Sequence, residues 1–119
     1  MSAANKAKGS RWETDIETYL NESGIKARRL PRAGAKDIGD VAIELAKTTI
    51  VVEAKNVRAA NMAGWLEEAA VEAGHYEDKY DVATIPVVIT KARGRGTHAG
   101  RVTLMLEDFC CLLKWNGLA

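Results

Sequence analysis

Apolar positions along this chain follow two rhythms. Trp12, Ile16, Tyr19 and Leu20 recur at helical spacing behind Ser10, a good N-cap, and Gly24 closes the run, so a first helix is predicted after Gly9. The eight residues before Gly9 are small, polar and basic and are expected to be disordered. "IKARRL" (25–30) reads as a strand stopped by Pro31, and "PRAGAKDIGD" as a loop. Period-two alternation then takes over in "VAIEL" (41–45) and "TIVVEAK" (49–55), close enough to form a hairpin. A second helix is predicted from about Asn61 to Tyr76, with Trp65, Ala69, Ala73 and Tyr76 along one side. "TIPVVIT" (84–90) is a buried strand whose Pro86 belongs near its start or on an edge. "RVTLML" is a further strand and "EDFCCLLKW" a short closing helix. The order α-β-β-β-α-β-β-α predicts one α/β domain over residues 1–119 with a mixed β-sheet flanked by helices.

The hairpin raises the chemical question. In "TTIVVEAKN", Ile50, Val51 and Val52 suit a core strand, yet Glu53 and Lys55 follow with both side chains on one face. A turn centred near Lys47 pairs residues whose numbers sum to about 93 or 94, which places Asp40 across from Glu53 or Ala54. Directly opposed side chains lie about 5 Å apart, where like charges repel. A hard divalent cation gives two such carboxylates a reason to meet, and Lys55 beside them can orient or deprotonate a water, or neutralise charge developing on a phosphate. The plainer alternative is a solvated strand edge, with Asp40 serving the turn after Gly39.

Composition narrows the field little. The chain of 119 residues is 47% hydrophobic and 28% charged, with net charge +1. That is ordinary for a globular protein. No apolar run is long enough to span a bilayer and no signal peptide is visible, so a cytoplasmic protein with no membrane partner is expected. Cys110 and Cys111 read as reduced core thiols. Charge is segregated: "KARGRGTHAGR" carries Lys91, Arg93, Arg95 and Arg101 with no acid, whereas residues 67–81 are strongly acidic. Arg28, Arg29, Arg32 and Lys36 flank the Asp40 loop. These basic segments read either as solvated surface or as phosphate contacts. His75 is expected to pack at the end of helix two and His98 to lie in a loop. Glu68 and Glu72 read as a solvated helix face, and Trp12, Trp65 and Trp115 as core.

Asp40, then twelve residues, then Glu53-Ala54-Lys55, resembles the core of the PD-(D/E)XK nuclease superfamily, with Gly39 where a proline often stands. "KGSRWE" is similar to the start of small Holliday junction resolvases of archaeal and phage type. "GWLEEAAVEA", "IPVVIT", "KARGRG" and "TLMLEDFCCLL" resemble phage-encoded members in the same order. The resemblance implies a restriction-endonuclease-like fold and an Mg2+-dependent endonuclease, with Mn2+ as a substitute. Catalytic residues would be Asp40, Glu53, Lys55 and Glu13, and metal ligands Asp40, Glu53 and Glu13. It further implies branched DNA as the partner, a homodimer making paired nicks, and a phage protein acting in the host cytoplasm. Ser10-x-x-Glu13 is also a capping box, in which Glu13 serves only the helix. The alternatives are a less structure-selective nuclease acting on flaps or duplex, or a DNA-binding module with its nuclease site unused.

Overall fold

In the computed structural model, which describes residues 3–32 and 36–117, five strands form one sheet in the order β1-β2-β3-β4-β5. The elements are α1 (Ala3–Glu22), β1 (Ala27–Arg29), β2 (Val41–Glu44), β3 (Thr49–Lys55), α2 (Met62–Tyr80), β4 (Thr84–Thr90), β5 (Arg101–Thr103) and α3 (Leu106–Trp115). A short 3-10 turn (Thr97–Ala99) precedes β5. The expected α-β-β-β-α-β-β-α order stands. The expected disorder of the first eight residues does not, because α1 already begins at Ala3. Ala, Lys and Asn over 3–8 permit helix, and Trp12 and Ile16, 1% and 3% exposed, anchor it to the core. Residues 1 and 2 lie outside the described residues. Asn21 ends α1 by capping the next segment, donating to the Ala27 carbonyl and accepting from its N–H.

The sheet is mixed. β2 runs antiparallel to β1 and β3, while β3 and β4 are parallel and joined by α2. Val41 pairs with Val52 and Ile43 with Ile50, the register in which paired numbers sum to 93. β5 pairs with β4 only from Val88 to Thr90, so Pro86 sits where β4 is itself an edge and its missing N–H is tolerated.

Alternation splits the core between two faces. Val41, Ile43, Val52, Ile85, Val87 and Ile89 pack with Trp12 and Ile16 of α1, and with Cys111 and Leu112 of α3. Ala42 and Val51 face the other way, onto Ala73 and Tyr76 of α2. The parallel β3–β4 pair obliges the chain to cross over, and the crossover lays α2 on the face that Val51, Glu53 and Lys55 share. Trp12 donates its indole N–H to the Ile89 carbonyl and belongs to the core. Trp115 does not: it is 38% exposed. Cys110 is exposed too, because only one side of α3 meets the sheet. Both thiols are free.

Candidate active site

Asp40 stands at the start of β2, where Gly39 adopts φ +102 and a Cβ there would come within 2.5 Å of Val51 Cγ1. Only glycine allows the chain this close to β3. Asp40 N–H donates to the Val52 carbonyl, and Asp40 Oδ2 accepts from Ala54 N–H at 2.8 Å. The carboxylate is thus clamped to the strand carrying Glu53 and Lys55. Asp40 and Glu53 are buried, 3% and 6% exposed. Burial above all, and then the neighbouring charge of Glu53, pushes the Asp40 carboxyl from 3.8 to about 8. Burial and the facing Glu72 push Glu53 from 4.5 to about 9.

Glu13 arrives from α1 and is buried. Because α1 begins at Ala3, Glu13 lies well inside the helix and the capping-box alternative is lost. Its carboxylate instead meets two cations: Arg29 Nη2 at 3.3 Å and Arg32 Nη2 at 2.7 Å. The same Arg32 nitrogen reaches Asp40 Oδ1 at 3.0 Å. A guanidinium therefore stands between the two carboxylates, where it supplies positive charge.

On the other side lies Glu72, which sequence reasoning assigned to a solvated face. It is buried, and its carboxyl is pushed from 4.5 to about 7, first by burial and then by the acids nearby. The signal was available, since 69, 72, 73 and 76 make one helical stripe and the other three are core residues. Carboxylate oxygens of Glu53, Glu68 and Glu72 lie within 4.8 Å of one another. Glu53 Oε2 and Glu72 Oε1 are buried without a hydrogen-bond partner. Such orphaned oxygens are costly unless a proton or a cation serves them. This donor set, oxygen only, suits a hard divalent cation.

Lys55 is half-buried, 2.7 Å from Glu68 and 3.6 Å from Glu53, with its ammonium 5.9 Å from the Trp65 ring centroid. Burial alone would lower its pKa, but Glu68 and Glu53 outweigh burial and raise it. At neutral pH Lys55 is an ammonium, which suits charge neutralisation or water orientation and not proton abstraction.

The basic residues divide into two groups. Arg28 pairs with Glu44 and also donates to Tyr76, Arg29 pairs with Glu13, and Arg32 with Glu13 and Asp40. Lys36, Arg93, Arg95 and Arg101 are exposed, Lys91 is half-buried, and none has a carboxylate partner among the described residues. His75 holds the Asp37 carbonyl through Nδ1–H at 2.8 Å, tying α2 to the loop before Asp40. His98 is exposed in the 3-10 turn.

The five-stranded mixed sheet flanked by helices in this order has a resolvase-like fold. The chain is similar in structure to Archaeoglobus fulgidus Hjc, a Holliday junction resolvase from an archaeal hyperthermophile. The TM-score is 0.56 at 20% sequence identity, over 81% of this chain and 76% of that one. No family model and no curated protein matches the chain. Among the described residues no helix is long and apolar enough to cross a membrane.

Proposed function

We propose that this protein is a metal-dependent DNA endonuclease of the PD-(D/E)XK type that resolves four-way junctions. The observation that carries this reading is the clamp of Asp40 beside buried Glu53 and the Lys55 ammonium, within a resolvase-like fold. Asp40 and Glu53 would hold Mg2+, or Mn2+ in its place, with Glu13 completing the set on one side and Glu72 on the other. The bound cation would supply Lewis acidity toward a phosphate oxygen. The chain's own residues do the rest. Ala54 N–H fixes which Asp40 oxygen turns inward, and Lys55 places fixed positive charge where the phosphate becomes more negative. Glu68 holds Lys55 until substrate competes for it.

Among the described residues one chain offers one such cluster, whereas a junction needs two symmetric cuts. We assign the second to a second copy of the chain, packed on the outer side of β5 and α3. Val102, Met105, Leu106 and Phe109 are 60%, 49%, 76% and 44% exposed there. Glu107 and Asp108 open α3 and Lys114 closes it, so two antiparallel copies would set opposite charges together.

The test is incubation with Mg2+ and labelled four-way junction, flap and linear duplex. The expected result is paired, nearly symmetric nicks in the junction alone. Equal cutting of linear duplex by a monomer would leave a nuclease and remove the resolvase. Binding without any cleavage would make the protein a DNA-binding module.

A further inference from the structure

The three arginines nearest Asp40 spend their charge on the protein's own carboxylates: Arg28 on Glu44, Arg29 on Glu13, and Arg32 on Glu13 and Asp40. A polyanion gains least from cations already neutralised. Four unneutralised ones line a cleft of about 280 Å3 between α1 and the loop that follows β4. One wall carries Lys8 and Arg11 of α1 and the other Lys91 and Arg93. None of these four has a carboxylate within ion-pair distance among the described residues, although Asp15 also borders the cleft. The floor is Trp12, whose ring centroid lies 5.2 Å from Lys91 Nζ. That contact, with a 3.3 Å bond from Lys91 Nζ to the Arg95 carbonyl, holds the ammonium in place before any ligand arrives. Gly94, at φ +69, gives the far wall a tip without a side chain, so an extended backbone can approach it closely.

Three backbone links join the lining of the cleft to the residues of the acid cluster. Trp12 precedes Glu13, Asn56 of the cleft follows Lys55, and Lys91 N–H donates to the Lys55 carbonyl at 3.1 Å. A chain lying in it is therefore led to the end of β3. Since Trp12 is 1% exposed and its indole N–H is spent on Ile89, the cleft offers no face for stacking bases. Its chemistry suits repeated phosphates.

Building on the nuclease reading above, we propose that the cleft walled by Lys8, Arg11, Lys91 and Arg93 is the track that grips the phosphate backbone of one DNA strand and leads it to the Asp40–Glu53 cluster. The track, and not the Arg28–Arg32 segment, supplies most of the salt-sensitive affinity.

The experiment measures binding of a fluorescent four-way junction, by anisotropy, over a salt series in Ca2+, with folding of each variant checked by its thermal melt. Each phosphate contact in duplex contributes a slope of about 0.9 in log affinity against log salt, so Lys8→Ala/Arg11→Ala should lower the slope by about 2 and the affinity by on the order of tenfold. Lys91→Ala/Arg93→Ala, on the opposite wall, should do the same. Lys47→Ala/Lys79→Ala removes the same charge at the far end of the sheet and should change neither. Wild-type slope and affinity in both wall variants, beside a wild type whose binding is salt-dependent, would overturn the track and leave the nuclease reading intact. Equal losses in the far-end control would also overturn it, since net charge would then be the cause. A wild type that binds no DNA would overturn both.

Discussion

Lys55 gives its short ion pair to Glu68, at 2.7 Å, and keeps a longer 3.6 Å approach to Glu53. Lys55, placed beside Glu53 by strand alternation, is thus held by a helix residue that can release it. If Lys55 neutralises charge on the reacting phosphate, Lys55→Ala should slow single-turnover cleavage by about two orders of magnitude, the scale of a positioned catalytic group. Junction affinity should change little. An unchanged rate with weakened binding would make Lys55 a phosphate contact.

Asp40→Asn and Glu53→Gln should each abolish Mg2+-dependent cleavage while leaving DNA binding in place. Asn can still accept from Ala54 N–H, so the clamp survives. Glu13→Gln should retain the helix and lose most activity, because Glu13 lies well inside α1. Substantial cleavage by folded Asp40→Asn or Glu53→Gln protein would end the assignment.

Metal-free stability should fall with pH. Asp40 keeps its proton to about 8 and Glu53 to about 9 in the folded state, against 3.8 and 4.5 ordinarily. Between those limits the folded chain binds protons that the unfolded chain has lost, so each step up in pH favours unfolding, with the loss complete above about 9. In EDTA, Tm should be higher at pH 6 than at pH 8.5, and the Asn and Gln variants should flatten that slope. Mg2+ requires the ionised form, so its stabilising effect should grow toward the alkaline end. A flat Tm profile in EDTA would argue against buried, protonated carboxyls.

Arg32 occupies the position between Glu13 and Asp40 that a cation would contest. Arg32→Ala should therefore bind Mn2+ or Ca2+ more tightly in calorimetry, and its melt should gain more from added metal than wild type does. Weaker metal binding would show instead that Arg32 builds the site.

The apolar side of α3 offers the last test. Leu106 is 76% exposed, so Leu106→Lys should not disturb the core. Sedimentation should then report a monomer that retains DNA binding and loses paired nicking. A wild type already monomeric at working concentration would remove the proposed interface.

Much of this was legible in the sequence, and for identifiable reasons. The β2–β3 register follows from alternation and turn position alone: a sum of 93 or 94 was expected, with Asp40 across from Glu53 or Ala54, and the paired residues sum to 93. Local patterns could not reveal that Arg28, Arg29 and Arg32 are neutralised, because their partners lie between 8 and 19 residues away along the chain. Glu72 was missed by judging its charge instead of its place in the 69–73–76 stripe. The start of α1 was missed because Gly9 and Ser10 look like a boundary, whereas packing of Trp12 and Ile16 carries the helix through them. Trp115 was misread for the opposite reason: its spacing is helical, but its helix buries only one side.

The clamp from Ala54 N–H to Asp40 also makes the distant turn at Leu45–Thr48 a selector of chemistry. Side chains alternate sides with every residue, so inserting one residue there and sliding β2 along β3 would swap its inward and outward sets. Val41 and Ile43 would then face the acid rim, and Asp40 would turn away from it. The length of a four-residue turn, at the opposite end of the hairpin from the acids, thus decides which carboxylates share one pocket.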